Sequence, residues 1–310
     1  MITKTLYFGN PAYLSLRDGQ LVIKIPEVEK NDSLPEFFKK QSEVTKPIED
    51  IGVVVLDNKR ITVTSGLLEA LLESNCAVIT CDSKGMPVGL MLPLYGNTTQ
   101  NERFRKQIDA SLPLKKQLWQ QTIKTKIANQ AAVLRSYTQE EVRCMEIWAA
   151  DVKSGDPDNL EARAAAFYWK TLFAHVDGFT RDREGPPPNH LLNYGYAILR
   201  AIVARGLVTS GLLPTLGIHH HNRYNAYCLA DDVMEPYRPY VDELVFKLAK
   251  DYHNSPTLTR ELKAQLLTIP TLEVRIGGKR SPLMVAVAQT TASLYKCFDG
   301  ELRRISYPLK

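Results

Sequence analysis

The sequence predicts an α+β fold, with a small β-rich N-terminal domain over residues 1–93 and a larger all-helical domain over residues 94–310. Three observations carry this prediction. Before Pro93, short β-branched runs alternate with Gly, Pro and Asp-Gly turn signals. From Gln100 onward the apolar residues recur at helical spacing, with few prolines until Pro157. The length of 310 residues exceeds one average domain and admits two.

Taken in order, Thr5-Leu6-Tyr7-Phe8 reads as the first strand within a strand segment over 1–25. Ala12-Tyr13-Leu14-Ser15-Leu16 and Leu21-Val22-Ile23-Lys24-Ile25 flank Asp18-Gly19, the signature of a hairpin. Residues 26–47 are polar and prolyl and predict a loop or ragged hairpin. Ile51-Gly52-Val53-Val54-Val55-Leu56 is a buried strand, and Ile61-Thr62-Val63-Thr64 continues the pattern. Ser65 caps a short helix over 67–72, and Ala77-Val78-Ile79-Thr80-Cys81 returns to strand. An amphipathic helix follows over 100–135, then helices over 137–150, 160–176 (capped by Asn159) and 193–208. A helical run ending at Lys250 is kinked by Pro236 and Pro239. The tail carries a helix over 258–267, a turn at Gly277-Gly278 and a helix over 281–298.

Composition narrows the class. Hydrophobic content of 44% and charged content of 24% suit a globular protein with a buried core. The five cysteines are scattered and form no CxxC pair, which argues against a disulfide framework and for a reducing compartment. No signal peptide is evident, no run approaches the roughly 20 apolar residues of a membrane span, and a cytoplasmic protein is expected. The net charge of +5 is mild, but it is concentrated. Residues 100–135 hold eight Lys/Arg against Glu102 and Asp109, and residues 270–310 hold seven against three acids. Such stretches supply charge for a phosphate backbone.

The chemistry-bearing stretch is Gly217-Ile218-His219-His220-His221-Asn222, followed by Ala230-Asp231-Asp232-Val233-Met234-Glu235-Pro236. Imidazole and carboxylate are ligands for divalent metals. A hydrogen-bonded turn leading into a solvated acidic helix face is the plain alternative. In an extended segment His219 and His221 share a face and His220 opposes them, so spacing alone leaves all three open. Glu161 stands in Leu160-Glu161-Ala162-Arg163-Ala164-Ala165-Ala166-Phe167-Tyr168-Trp169, where small residues allow another helix close. It suits either a partly buried ligand or a first-turn carboxylate facing the helix dipole. One histidine and two carboxylates from three segments suit Mg²⁺ or Mn²⁺, and zinc also accepts such a set.

These motifs, with Asn193-Tyr194-Gly195-Tyr196 between them and Glu235-Pro236-Tyr237-Arg238-Pro239 at the end, resemble the CRISPR-associated spacer-acquisition integrase family (Cas one), most of all its type II branch. The resemblance spans essentially the whole chain. It implies that Glu161, His220 and Glu235 are the catalytic metal ligands, His220 lying fifteen residues before Glu235, with His219 and His221 as rivals. It further implies a homodimer formed through the β-rich domain, a complex with the partner Cas two, and a DNA substrate: a prespacer duplex inserted into a repeat array by transesterification. Arg223 and Arg238, flanking the ligands, and Tyr168 and Lys170 on the glutamate helix are the candidate nucleic-acid contacts. Two other readings use the same residues. One is a metal-dependent nuclease on branched or single-stranded DNA with water as nucleophile. The other is a non-catalytic DNA-binding scaffold.

Overall fold

The computed structural model describes residues 3–252 and 255–310; Met1 and Ile2, at the head of the expected strand segment, lie outside the described residues. The chain divides into two compact units, Met1–Leu94 and Tyr95–Lys310.

The first unit contains β1 (Lys4–Phe8), β2 (Tyr13–Arg17), β3 (Gln20–Lys24), α1 (Pro26–Glu29), α2 (Glu36–Gln41), β4 (Val44–Pro47), β5 (Ile51–Leu56), β6 (Thr62–Val63), α3 (Ser65–Glu73), β7 (Ala77–Cys81) and β8 (Pro87–Met91). The Asp18-Gly19 hairpin forms as the sequence predicts. Arg17 pairs with Gln20, and both turn residues take positive φ, 50° and 70°, the geometry that matches strand twist. The stretch 26–47, expected as a loop or ragged hairpin, holds two short helices and then β4, which pairs antiparallel with β3. Pro26 sits in the first turn of α1, where a missing N–H costs nothing. Ser65 is not a cap; Thr64 takes that position, without a side-chain cap bond. The strands form two sheets, β1-β5-β7-β8 and β4-β3-β2-β6. β5 lies between parallel neighbours and is buried on both faces, which is why its apolar run is unbroken. Leu14 and Leu21 of one sheet meet Val54 and Val78 of the other and Leu67 and Leu71 of α3 in one core.

The second unit contains α4 (Gln100–Ile108), α5 (Leu112–Tyr137), α6 (Arg143–Asp151), α7 (Leu160–Leu172), α8 (Asn189–Thr209), α9 (Cys228–Met234), a 3-10 turn over Glu235–Tyr237, α10 (Arg238–Asp251), α11 (Arg260–Leu266), the hairpin β9 (Glu273–Ile276) and β10 (Lys279–Pro282), and α12 (Leu283–Asp299). The single helix expected over 100–135 is broken at 109–111. Ser111 caps α5, its hydroxyl accepting from the Leu114 amide at 3.4 Å, with Pro113 in the first turn. Asn159 does not cap α7. It is left-handed (φ 50°), and the Asp156 carboxylate takes the role, accepting from the amides of Leu160 at 3.0 Å and Glu161 at 2.9 Å. The kink expected at Pro236 and Pro239 is a full break, the 3-10 turn separating α9 from α10.

α5 packs against α6, α7, α10 and the 3-10 turn, while α8 packs against α9, α10 and α12. Gly195 lets α10 lie close to α8; a Cβ there would stand 2.6 Å from Val241. α8 corrects one expectation. Its 21 residues, with a window of mean hydropathy 1.2, are long and apolar enough to cross a membrane. Yet 67% of that window is buried inside the unit, so its apolarity serves packing against the neighbouring helices.

Candidate active site

The site grows from a buried aspartate of the acidic stretch, where the plain alternative is a solvated helix face. Asp232 on α9 has no exposed side-chain surface. Its Oδ2 accepts from the amides of Ile218 at 2.7 Å and His219 at 2.9 Å. Its Oδ1 accepts from the His220 amide at 3.3 Å and from the His220 ring Nδ1 at 2.5 Å. One carboxylate thus folds the histidine segment around itself. Gly217 makes this curl fit, since a Cβ there would lie 2.8 Å from Asp232 Oδ2. The carboxylate fixes the proton on Nδ1, and Nε2 has no hydrogen bond among the described residues, the arrangement in which imidazole ligates metals. The Asp232 bond raises the His220 pKa, burial opposes it, and the charges of Asp232, Glu235 and Glu161 add to the rise.

His219 does something else. Its ring stacks on Trp119 at 4.1 Å between centroids and 1° between planes. Burial pushes its pKa down. His221 is exposed and, with Lys115 and Arg223, lines a cleft of about 450 Å³ that His220 also borders.

The two glutamates meet at one point. Glu161 lies in the first turn of α7, Glu235 at the start of the 3-10 turn, and Lys126 of α5 reaches between them. Lys126 Nζ stands 2.6 Å from Glu161 Oε1 and 2.6 Å from Glu235 Oε2. Side-chain exposure is 9% for Lys126, 23% for Glu161 and 4% for Glu235. The two contacts differ in kind. Lys126 donates a hydrogen bond to Glu161, but its approach to Glu235 is close and misaligned, which leaves Oε2 buried without a hydrogen bond. Glu235 Oε1 is 3.0 Å from the Arg238 guanidinium. Burial resists ionisation of Glu235, but Arg238 and Lys126 outweigh it and hold the carboxyl below its ordinary range. Burial likewise resists the charge on Lys126, and Glu235 and Glu161 outweigh it.

These residues fit a divalent cation in chemistry. Two carboxylate oxygens that share one ammonium are spaced to share one small cation, and Glu235 Oε2 lacks the directed partner a buried oxygen requires. Among the described residues no three His, Cys, Asp or Glu side chains are already gathered around one point. The glutamates converge, with Lys126 between them, while the His220 ring is turned toward Asp232.

The other candidates divide. Lys170 and Arg223 are exposed, and the Arg223 guanidinium lies 4.6 Å from the centre of the Tyr224 ring. Arg238 lies over the Tyr196 ring and pairs with Glu235, so its charge is spent on positioning a carboxylate. Tyr168 is corrected outright: it is 0% exposed and its hydroxyl donates to Asp242 at 3.1 Å, so it offers no surface to DNA. Lys126, counted in the basic run of 100–135, is also no surface cation. The available signal was its place on the stripe of Trp119, Ile123 and Ile127, the buried face of α5.

Comparison with known proteins agrees with this architecture. The profile of the family described as "CRISPR associated protein Cas1" matches residues 6–268. A curated relative from Neisseria meningitidis serogroup C (strain 8013), a "CRISPR-associated endonuclease Cas1", is 34% identical over 294 residues, covering 94% of this chain and 91% of its own. Among solved structures, a casposase bound to integration product superposes with a TM-score of 0.77 at 20% identity, covering 98% of this chain and 92% of that one. A "Cas6-RT-Cas1–Cas2 complex" gives 0.70 at 18% identity, covering 97% of this chain and 35% of that one. The structural likenesses carry the fold; the profile and the Neisseria relative carry the family, and on them this chain belongs to the CRISPR-associated Cas1 endonuclease family.

Proposed function

We propose that this chain is a metal-dependent DNA integrase that inserts new spacers into a CRISPR array in the cytoplasm. Glu161, His220 through Nε2, and Glu235 would hold Mg²⁺ or Mn²⁺. The observation that carries the reading is the meeting of Glu161 and Glu235 on a single cation, beside a histidine whose Nδ1 is already committed to a buried aspartate. When bound, the divalent cation supplies Lewis-acid stabilisation of charge on the phosphoryl and leaving oxygens. The chain's own residues do the rest. Asp232 holds the His220 ring in one tautomer and orientation. Arg238 holds one oxygen of Glu235 and leaves the other facing the site. Lys115, His221 and Arg223 line the adjoining cleft, where cationic side chains position phosphate without reading sequence.

The reaction is a phosphodiester exchange. The prespacer 3′-hydroxyl oxygen bonds to the repeat phosphorus, the bond from that phosphorus to the repeat's own 3′ oxygen breaks, and the proton lost by the nucleophile ends on the leaving oxygen. One ester bond forms and one breaks, so no energy source is required. The resemblance and the Cas1–Cas2 neighbour support Cas2 as partner. In this proposal residues 1–94 form the homodimer contact, and residues 95–310 hold DNA and the metal.

The test supplies purified protein, its Cas2, a duplex with free 3′-hydroxyls and a repeat-bearing plasmid, with Mn²⁺. Covalent joining is expected with wild type and not with Glu161→Ala or Glu235→Ala. Nicked plasmid without joining would favour the water-using nuclease. Joining that persists in both variants would remove these glutamates from the chemistry, and the metal-site assignment with them.

A further inference from the structure

Lys126 is a lysine on the buried stripe of a helix, and its ammonium touches both carboxylates of the candidate centre. A structural ion pair would need only one of them. Here the cation is shared, well directed to Glu161 and misaligned to Glu235. Glu161 and Glu235 are balanced by Lys126 and Arg238 without a metal, and Asp232 beside a neutral His220 adds one negative charge. A divalent cation added to this set leaves an excess of one positive charge in a largely buried site. Buried charge must be paired, and the phosphates of DNA bring the anions. Lysine suits an exchange of partners, being a flexible stem with a point charge and no fixed fork geometry. The way out is on the side of Glu161, the more exposed of the two carboxylates.

We propose that the Lys126 ammonium holds the two glutamates in the metal-free protein, competes with the divalent cation for them, and is released toward DNA phosphate when the metal enters. Lys126 is then a positioning residue through which metal loading and DNA binding are coupled. Each ligand tightens the other, because each provides what the displacement of Lys126 requires. The inference rests on the metal-centre reading of Glu161, His220 and Glu235.

The test reads metal binding, not turnover. Mn²⁺ affinity is measured by electron paramagnetic resonance of the free ion, for wild type, Lys126→Met and Glu161→Gln, with and without a duplex whose 3′ ends are dideoxy and cannot react. In wild type, the duplex should tighten Mn²⁺ binding by about tenfold. In Lys126→Met, Mn²⁺ alone should bind about tenfold tighter than in wild type, and the duplex should add little. A wild-type measurement needs no variant to fold: labelling by an amine-reactive acetylating reagent, read by mass spectrometry, should rise at Lys126 when Mn²⁺ is added. Equal Mn²⁺ affinity in wild type and Lys126→Met, or labelling of Lys126 indifferent to Mn²⁺, overturns the role of the lysine while the metal centre stands. Wild type that binds Mn²⁺ no better than Glu161→Gln, with or without duplex, overturns both.

Discussion

His219, His220 and His221 are neighbours in sequence with three different surroundings, and a substitution series separates them. His220 is bonded through Nδ1 to the buried Asp232; His219 stacks on Trp119; His221 stands exposed at the cleft. In a joining assay His220→Ala should lose more than about 100-fold, while His219→Ala and His221→Ala should stay within about tenfold, a ligand being dearer than its neighbours. Asp232→Asn, which keeps the shape but not the charge that collects three amides and the ring, should fall between, at about 10- to 100-fold. Loss in His219→Ala with His220→Ala active would mean the wrong ring had been chosen. The acid–histidine–acid set is a candidate that the sequence offers, because possible ligands are marked by residue type and motif. Lys126 and the organising role of Asp232 were not legible there. Whether a lysine is buried, or an aspartate collects amides, depends on which helix covers it, and α7 brings Glu161 to Lys126 across 35 positions of chain.

At the scale of elements, α10 is tied to α7 and α8 through Asp242, which accepts from the hydroxyls of Tyr168 and Tyr196. Burial pushes the Asp242 carboxyl up to about 7, against the pull of the two tyrosine hydroxyls and of Arg238 and Arg181. A carboxyl whose pKa is higher folded than unfolded binds its proton more tightly in the fold. Its contribution is therefore complete below the unfolded value of 3.8 and is lost as pH rises through about 7. Relative to Asp242→Asn, which does not titrate, wild type should lose a few kcal/mol of unfolding free energy between about pH 4 and pH 8. Urea unfolding across that range reads the difference; parallel curves would show that Asp242 does not titrate in the fold. The same elements show what periodicity reveals and what it hides. The apolar stripes of α5 and α8 could be read directly, and so could an interruption at Pro236 and Pro239, though as a kink and not a break. The breaks at 109–111 and the cap of α7 could not, because Ser111 and Asp156 act through side-chain bonds to amides that no hydrophobic pattern marks. The short helices over 26–47 were hidden for a related reason, their prolines reading as loop when they stand at helix starts.

For the whole molecule, the count of basic residues overstates the surface available to DNA. Of the basic run over 100–135, Lys126 is buried in the site, Lys106 pairs with Asp299 and Arg135 with Glu146. Of the tail, Arg280 pairs with Glu273, Lys296 with Glu301 and Lys310 with Glu243. Lys115, Lys116, Arg223, Arg303 and Arg304 are among the cations that hold no ion pair among the described residues and are available to phosphate. Each phosphate neutralised releases counterions, so log affinity for duplex DNA should fall linearly with log salt, at a slope near −0.9 per contact, or about −4 to −5 if these five engage. Lys115→Ala should reduce that slope by about one, equally for any duplex sequence, since a phosphate contact carries no base information. Arg280→Ala should leave it unchanged, its charge being already neutralised by Glu273. Fluorescence anisotropy titrations between about 50 and 200 mM salt separate the two variants. A slope near zero, or an equal drop for Lys115→Ala and Arg280→Ala, would mean that DNA is not held by this unpaired set of cations, because each phosphate that a cation neutralises frees counterions condensed on the DNA.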